Sequence, residues 1–265
     1  MSKTDPVIAC IQENILRMMH RSSSSHIGSC LSIVHILYVL YFLYLNIDPQ
    51  HPKDPGRDIF ILSKAHASAA LYAALAERGF FEKTLLEKFY IDGGELPGHL
   101  DRHKAPGVET SGGSLGHGLS IGIGFAISAK NLYPKKRISV LLGDGECNEG
   151  SVWEGVMLAA ALGLSNITAI IDYNDLQGYG RNVLKQDNMA ERFQAFGWET
   201  VAVDGHSVSE ISAALSRSQT GPKAIVARTI KGKGVPFMED RLEWHYKSPN
   251  DKQLQDALTA IRKQS

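Results

Sequence analysis

The sequence predicts an α/β fold in which helices cover both faces of a parallel sheet. Short apolar runs alternate with helical segments along most of the 265 residues, and this alternation is typical of parallel sheets. The runs at residues 59–62 (IFIL) and 138–142 (ISVLL) are apolar at nearly every position, as in strands buried on both faces. Because no linker, internal repeat or low-complexity tract interrupts the chain, we expect residues 1–265 to form one domain.

The first half of the chain begins with a helix. Asp5 is a capping residue, Pro6 suits the first helical position, and helical periodicity continues to about residue 20. Residues 31–45 are apolar on nearly every side, which predicts a helix that is buried between layers or at a subunit interface. This segment is shorter than the roughly 20 residues of a membrane span. The strand at residues 59–62 then leads into a helix that ends near residue 78.

The second half begins with a long irregular stretch at residues 92–118, which is rich in glycine and contains little periodicity. Such a stretch inside a compact domain is usually functional. The remaining elements are expected in this order: a helix at 118–131, a strand at 138–142, a helix at 150–162, a strand at 167–171, a helix near 190–196, a strand near 198–203, a helix near 207–217, a strand at 223–229, a loop at 231–250 and a helix at 252–262.

The composition argues against several classes of partner. The chain is 43% apolar and 21% charged, as is usual for a globular protein, and its formal net charge is zero, so nucleic acid is not expected as a partner. Cys10, Cys30 and Cys147 are far apart and odd in number, which predicts neither a disulfide framework nor a zinc site. Because no signal peptide or membrane span is expected either, we predict a cytoplasmic protein.

A ligand site is predicted where two neighbouring strands end. Gly143, Asp144 and Gly145 follow the strand at 138–142, and Asn174 follows the next strand, 30 residues after Asp144. Open α/β sheets bind ligands at the carboxyl ends of their strands, and glycines there let the backbone approach closely. The carboxylate and amide oxygens suit Mg²⁺. The helix that begins near Gly150 would point its positive end towards an anion.

Several further segments contain histidines in loops. His26 lies in SHIG (25–28), His66 in SKAHA (63–67), His99 in LPGH (96–99) and His245 near the end of the loop at 231–250. Together with the glycine-rich segment 106–118 (PGVETSGGSLGHG), the segment 143–150 (GDGECNEG) and the segment 172–176 (DYNDL), their order and spacing resemble the N-terminal, diphosphate-binding domain of transketolase. The resemblance covers almost the whole chain and is greatest to the N-terminal chain of split, two-subunit transketolases.

The resemblance implies a role for each matching residue. Asp144, Asn174 and the carbonyl of Leu176 would ligate Mg²⁺, which Ca²⁺ or Mn²⁺ could replace. The resemblance assigns the remaining contacts as follows: Gly145, His66 and His245 to the diphosphate of thiamine diphosphate, Gly113 and Leu115 to its aminopyrimidine, and Asn174 and Glu149 to the cofactor-binding set, with Glu149 at the subunit interface. His26, His66, His99 and His245 would surround the reacting carbons, and His99 would recognise the C1 hydroxyl of the donor.

The reaction implied by the resemblance is transfer of a two-carbon ketol unit from a ketose donor to an aldose acceptor. Imidazole groups suit this chemistry because they titrate near neutral pH and both donate and accept protons. Transketolases need a second, pyrimidine-binding domain, and only about 15 residues follow Asn250 here. We therefore expect this chain to be inactive alone and to form an α₂β₂ tetramer with a pyrimidine-domain subunit. The segment 31–45 and the glycine-rich loop are the expected interface.

Other interpretations of the sequence remain open. The enzyme could act in central metabolism or make an unusual or branched sugar, since Ile27, Ala65 and His117 depart from the pattern of the family beside the expected substrate funnel. A second class is another thiamine diphosphate enzyme, similar to deoxyxylulose-phosphate synthase or to one chain of a 2-oxo acid dehydrogenase. A third possibility is a partner protein without catalysis, against which the presence of Asp144, Asn174 and the histidines argues.

Overall fold

The computed structural model describes residues 5–181, 183–184 and 187–264 of the chain. A five-stranded parallel sheet forms its centre, with the strands β1 (Ile59–Leu62), β2 (Ile138–Gly143), β3 (Ile167–Tyr173), β6 (Glu199–Asp204) and β7 (Lys223–Arg228). The spatial order is β1-β2-β3-β7-β6, and every neighbouring pair runs parallel. Two short antiparallel strands, β4 (Leu176–Gln177) and β5 (Gly180–Arg181), form a hairpin outside this sheet. The predicted α/β class is confirmed.

Helices cover both faces of the sheet because the strands send alternate side chains to opposite sides. On one face, Phe60, Leu141 and Ile170 contribute to a core shared with these helices: α1 (Pro6–Ser22), α2 (Ile27–Leu31), α3 (Val34–Tyr38), α4 (Ser68–Arg78), α8 (Val208–Ser216) and α9 (Asp251–Gln264). On the other face, Ile61 and Val140 pack with these helices: α5 (His117–Leu132), α6 (Gly150–Ala161) and α7 (Met189–Ala195). Burying each large aliphatic side chain contributes about 1.5–3 kcal/mol.

The start of α1 follows the predicted pattern. The Asp5 carboxylate accepts a hydrogen bond from the backbone N–H of Val7 at 2.9 Å, and Pro6 occupies the first turn, where its missing N–H has no intrahelical partner. At the other end, Ser23 adopts a left-handed conformation with φ 50°, and its N–H bonds back to the carbonyls of the last turn. The helix packs against α4 and against α9, so the first and last helices of the described chain are in contact.

The single helix expected at residues 31–45 is instead three pieces. Helix α2 ends at Leu31, α3 begins at Val34, and a π-helical turn spans Val39–Tyr44. The hydroxyl of Ser32 donates to the carboxylate of Asp172 at 2.8 Å, and its oxygen also lies 3.1 Å from the carbonyl of Ser29, so the break between the two helices is held beside β3. Nearly all the apolar side chains from Leu31 to Tyr41 are buried against the sheet. The segment therefore lies in the core, and the expectation that it forms a subunit interface was wrong.

The other elements lie close to their predicted positions. The stretch at 92–118 contains no helix or strand before α5, which begins at His117 with Gly116 as its cap. A short 3₁₀ segment at Lys83–Lys88 and the β4–β5 hairpin were not predicted. Among the described residues, no helix combines the length and the apolar character needed to cross a membrane. The carboxyl ends of β1, β2, β3 and β7 face the same edge of the sheet, where the loops at 63–67, 143–149, 174–178 and 229–234 converge.

Candidate active site

A cavity of about 440 Å³ opens at this edge of the sheet. Residues that follow β1, β2, β3 and β7 line it, together with residues from the other histidine-bearing loops. Every residue that the sequence analysis assigned to the site lines this cavity: His26, His66, His99, Gly113, Leu115, Asp144, Gly145, Glu149, Asn174, Leu176 and His245. The structure therefore brings together segments that are separated by more than 200 residues in the chain.

The four histidines form one cluster at the mouth of the cavity. The ring of His26 is central: its centroid lies 5.0 Å from that of His66, 6.2 Å from that of His99 and 4.9 Å from that of His245. His26 has φ 80° and ψ 16°, a left-handed conformation that is uncommon outside glycine. Its backbone N–H donates to the carbonyl of His245 at 2.8 Å, so the two loops are tied together. Strain of this kind concentrates at functional sites.

Burial keeps most of these imidazoles neutral. It lowers the pKa of His26 to about 4, with further contributions from the nearby His99 and Lys231. It lowers the pKa of His245 to about 3, and Lys231 and His26 add to the effect. The pKa of His66 is also lowered well below its usual value by burial and by Lys64. Neutral imidazole has one donor and one acceptor nitrogen, which is the form required to hold or move a proton at a bound hydroxyl.

Lys231 fixes which nitrogen of His245 carries the proton. The ammonium group lies 2.9 Å from Nδ1 of His245 and can only donate, so Nδ1 accepts and Nε2 of the neutral ring bears the hydrogen. Lys231 also donates to the carbonyl oxygen of Leu176 at 2.7 Å. Burial, together with the neighbouring Lys64, lowers the pKa of Lys231 to about 8. Neither hydrogen-bond partner is a carboxylate, so this buried positive charge faces a cavity that suits an anion.

The oxygen donors lie at the ends of β2 and β3, and Lys231 joins one of them, the carbonyl of Leu176, to His245. One carboxylate oxygen of Asp144 accepts from the backbone N–H groups of Asn174 at 3.0 Å and Asp175 at 2.6 Å, which ties the end of β2 to the end of β3. The side-chain oxygen of Asn174 accepts from the N–H of Leu176 at 3.2 Å. Burial and the nearby Asp172 raise the pKa of Asp144, while the backbone hydrogen bonds oppose that rise.

This donor set fits a hard divalent cation beside a diphosphate. The carboxylate of Asp144 follows β2, the amide oxygen of Asn174 and the carbonyl of Leu176 follow the neighbouring β3, and all three are hard oxygen ligands. Gly143 and Gly145 lie beside Asp144, where a ligand can approach the backbone closely. The ammonium of Lys231 makes no direct hydrogen bond to a carboxylate and supplies a positive charge for phosphate oxygens.

Besides Lys231, two further buried polar groups of the site were missed in the sequence analysis. The first is the pair formed by Asp172 and Lys64. Asp172 is fully buried and accepts from Lys64 at 2.6 Å, from Ser32 at 2.8 Å and from Thr229. Burial alone would raise the pKa of Asp172, but Lys64 and these hydrogen bonds hold it below the usual value. Asp172 follows directly on the run at 167–171, and Lys64 follows the run at 59–62 by two positions, so a charged residue beside each strand was the available signal.

The second missed group is Glu146, which follows Asp144 by two positions and is 2% exposed. Its partners, Ser63, Gly116 and Gly143, come from three different segments of the chain. His117, which departs from the pattern of the family, is exposed and does not line the cavity.

Comparison with known proteins identifies the family. The family described as "Transketolase, thiamine diphosphate binding domain" matches residues 7–261. The chain belongs to the transketolase family. It is 39% identical over 244 residues to one subunit of the apulose-4-phosphate transketolase of Actinobacillus succinogenes, covering 91% of this chain and 88% of that protein. It is 35% identical to the 6-deoxy-6-sulfo-D-fructose transketolase subunit SqwG of a Clostridium species, covering 96% of both chains.

A solved structure supports the same assignment. A mutant of transketolase from Pichia stipitis superposes with a TM-score of 0.91 at 26% sequence identity, covering 96% of this chain and 40% of that chain. The chain thus spans less than half of that transketolase but nearly the full length of the two subunit relatives. The predicted resemblance and the fold of the diphosphate-binding domain are confirmed.

Proposed function

We propose that this chain is the diphosphate-binding subunit of a split transketolase, which transfers a two-carbon ketol unit from a ketose donor to an aldose acceptor. The observation that carries the proposal is the geometry of one cavity. Three histidine rings lie 4.9–6.2 Å from the ring of His26, and the three oxygen donors and the buried Lys231 line the same cavity. This arrangement suits a ligand with a diphosphate at one end and a reacting centre near imidazoles at the other.

Each part of the chain has a distinct task in this proposal. Asp144, Asn174 and the Leu176 carbonyl hold Mg²⁺, for which Ca²⁺ or Mn²⁺ can substitute. The remaining contacts are Gly145, His66 and His245 at the diphosphate, Gly113 and Leu115 at the aminopyrimidine, and Asn174 and Glu149 in the wider cofactor-binding set. Thiamine diphosphate, when bound, supplies the electron sink for cleavage of a carbon–carbon bond.

The histidines handle the protons of the sugar. His26 and His66 are neutral and half-buried beside the cavity, so each can accept a proton from a substrate hydroxyl and return it later. Because Lys231 occupies Nδ1 of His245, the Nε2–H of this ring is the group that can donate to a developing alkoxide. His99 is exposed at the entrance and is available to bind the C1 hydroxyl of the donor.

The proposal includes a separate partner. Two relatives of matching length carry the word "subunit" in their names, and the missing pyrimidine-binding part of the longer transketolases would come from another chain. We propose an α₂β₂ assembly in the cytoplasm, in which residues 1–265 act as one domain. The partner subunit would cover the cavity rim at Gly113, Leu115 and Glu149, all of which are at least partly exposed.

A second surface would join two copies of this chain. Helices α5 and α6 pack side by side and expose the apolar side chains of Ile127, Met157 and Leu158, which are 47%, 49% and 48% accessible. These helices carry only one lysine, Lys130, and one glutamate, Glu154, so two copies of the face can approach without repulsion between like charges. This face replaces the segment 31–45 as the proposed contact between subunits.

The substitution Met157→Glu tests this surface in the assembled complex. Native mass spectrometry should show the α₂β₂ mass falling to that of αβ, because a buried charge at the centre of an apolar contact is strongly unfavourable. Leu43→Glu is the matched control, since Leu43 is 56% exposed on the turn Val39–Tyr44 and should leave the tetramer intact. Loss of the partner subunit in Met157→Glu, with this chain still dimeric, would show that the face binds the partner instead.

The main test is reconstitution. The chain is co-expressed with a candidate pyrimidine-domain subunit, supplied with thiamine diphosphate and Mg²⁺, and offered a panel of ketose donors and aldose acceptors while product masses are followed. A two-carbon mass shift that requires both chains is expected, and Asp144→Ala should abolish both cofactor binding and turnover. Turnover by the chain alone, or decarboxylation of a 2-oxo acid, would contradict the proposal. Full activity in Asp144→Ala would instead point to a non-catalytic role.

The donor panel also decides between two kinds of sugar. The two subunit relatives are named for apulose 4-phosphate and for 6-deoxy-6-sulfo-D-fructose, which are not the sugars of central metabolism. These names favour a transketolase for an unusual or branched sugar as the second candidate. A panel that contains both standard pentose phosphates and branched or sulfonated ketoses separates the two candidates directly.

A further inference from the structure

The carboxylate of Glu146 joins three segments that meet at the cavity. One oxygen, Oε1, accepts from the hydroxyl of Ser63, which follows β1, and from the N–H of Gly116 at 2.8 Å. The other oxygen, Oε2, accepts from the N–H of Gly143 at 3.1 Å, at the end of β2. Glu146 therefore uses both oxygens to bind three segments: the end of β1, the glycine-rich loop, and the turn at residues 143–145, which we call the diphosphate turn.

Ser63 extends this contact to the first turn of α5. Its hydroxyl oxygen accepts from the N–H of Gly118 at 3.1 Å while its hydrogen points to Glu146. Gly116 and Gly118 therefore both receive an acceptor at a helix N-terminus, where backbone N–H groups lack intrahelical partners. The contact is close: a Cβ on Gly118 would lie 2.4 Å from the Ser63 hydroxyl oxygen, and one on Gly116 would lie 2.5 Å from that of Ser151.

This network fixes the distance between two halves of the cavity. Gly113 and Leu115 precede Gly116 by only a few residues, and they line the cavity on the side of the glycine-rich loop. Gly143, Asp144 and Gly145 line it on the opposite side. Because Glu146 bonds directly to Gly116 and Gly143, movement of the loop away from the diphosphate turn would leave a buried carboxylate without its partners, which is strongly unfavourable.

We propose that Glu146, with Ser63, is a positioning residue that holds the glycine-rich loop at the spacing required to bind both ends of thiamine diphosphate. The proposal rests on cofactor binding as stated in the proposed function. Glu146 acts through Gly116 and Gly143 and does not serve as an acid or base in turnover. Its removal should therefore weaken cofactor binding and leave the chemistry of the loaded enzyme nearly unchanged.

Glu146→Gln is the sharpest variant. The amide keeps the size of the side chain but has one acceptor oxygen, so its NH₂ group must face either the N–H of Gly143 or the donors of Gly116 and Ser63. Titration calorimetry at fixed Mg²⁺, on the complex with the partner subunit, measures the Kd for thiamine diphosphate. We expect this Kd to rise roughly 10- to 100-fold. At saturating cofactor, kcat should return to within about threefold of the wild-type value.

Asp58→Asn is the matched control. Asp58 is also 2% exposed and accepts from the N–H groups of Asn46 and Arg137, each at 2.8 Å, but it precedes β1 at the amino end of the sheet. This variant should be destabilised without a change in cofactor Kd. If Glu146→Gln does not fold, Ser63→Ala provides the test, with a smaller rise in Kd because the carboxylate keeps its two backbone partners.

The outcomes separate the two levels of the proposal. A wild-type complex that does not bind the cofactor would overturn the proposed function itself. A wild-type complex that binds, with an unchanged Kd in both Glu146→Gln and Ser63→Ala, would overturn only the positioning role. An equal rise in Kd for Asp58→Asn would show that the weaker cofactor binding of Glu146→Gln comes from general destabilisation. A loss of kcat in Glu146→Gln at saturating cofactor would assign Glu146 to the chemistry instead.

Discussion

Two groups of histidines in this chain share an electrostatic environment and differ in what they face. His26, His66 and His245 have lowered pKa values and line the large cavity. His35 on α3 and His206 after β6 also have pKa values lowered to about 4 by burial, and their rings lie 5.1 Å apart in an edge-to-face arrangement. Neither member of this second pair lines the cavity.

The hydrogen bonds of the pair explain its different role. His206 accepts from the N–H of Ile230 at 2.8 Å, which ties the end of β6 to the segment leading to Lys231. The Nδ1 atoms of both rings are buried and have no hydrogen-bond partner among the described residues. A lowered pKa therefore does not identify a catalytic histidine by itself. The distinguishing feature is a ring nitrogen that faces a cavity whose other walls can bind the rest of a substrate.

The largest effect expected from this comparison is on turnover. His26→Asn removes the central imidazole of the cavity cluster, and asparagine tolerates the left-handed backbone of this position better than alanine does. We expect kcat/KM of the reconstituted enzyme to fall at least about 100-fold, the usual contribution of a positioned acid or base. His35→Leu is the control and should leave kcat/KM within about twofold. Equal losses in the two variants would remove the distinction between the groups.

The sequence predicted the cavity group and could not predict the buried pair. His26, His66 and His99 occur in short segments with a family pattern, so their positions followed from a local resemblance. His35 and His206 are about 170 residues apart and meet only because α3 packs against the loop after β6. The same limit applies to Glu146 and Ser63, whose partnership depends on the adjacency of β1 and β2 rather than on a motif.

The break of the 31–45 segment shows a related limit. Its apolar composition on nearly every side correctly predicted burial. At the break, Ser32 bonds to Asp172, which lies 140 positions away and is itself held by Lys64. The composition could not reveal whether the segment packs against the sheet or against another subunit, and it packs against the sheet of the same chain.

A second effect concerns the dependence of stability on pH. The folded chain keeps His35 and His206 neutral down to about pH 4, whereas unfolded histidines protonate near pH 6.5. The unfolded state therefore binds more protons between these values, and the free energy of unfolding should fall as pH decreases from about 6.5 to about 4. We expect the two histidines together to contribute a loss of up to about 5 kcal/mol between pH 7 and pH 4.5, measured by urea unfolding.

His35→Leu sharpens this measurement because it removes one of the titrating groups. The variant should lose less stability than the wild type over the same interval, by up to about 1 to 2 kcal/mol. The cavity histidines contribute with the same sign, so some dependence on pH must remain. Identical curves for the variant and the wild type would show that His35 is accessible to protons in the folded chain.

The smallest effect lies within the buried pair, at neutral pH. His206→Ala leaves the N–H of Ile230 without its acceptor and should lower the free energy of unfolding by about 1 kcal/mol. His35→Leu removes a ring whose Nδ1 has no partner among the described residues and replaces it with an apolar side chain of similar size. Its free energy of unfolding should therefore stay within about 0.5 kcal/mol of the wild type or rise. If His35→Leu lost more unfolding free energy than His206→Ala, the hydrogen bond to Ile230 would not be the interaction that holds this pair in place. Packing of the rings against α3 would then be the dominant interaction.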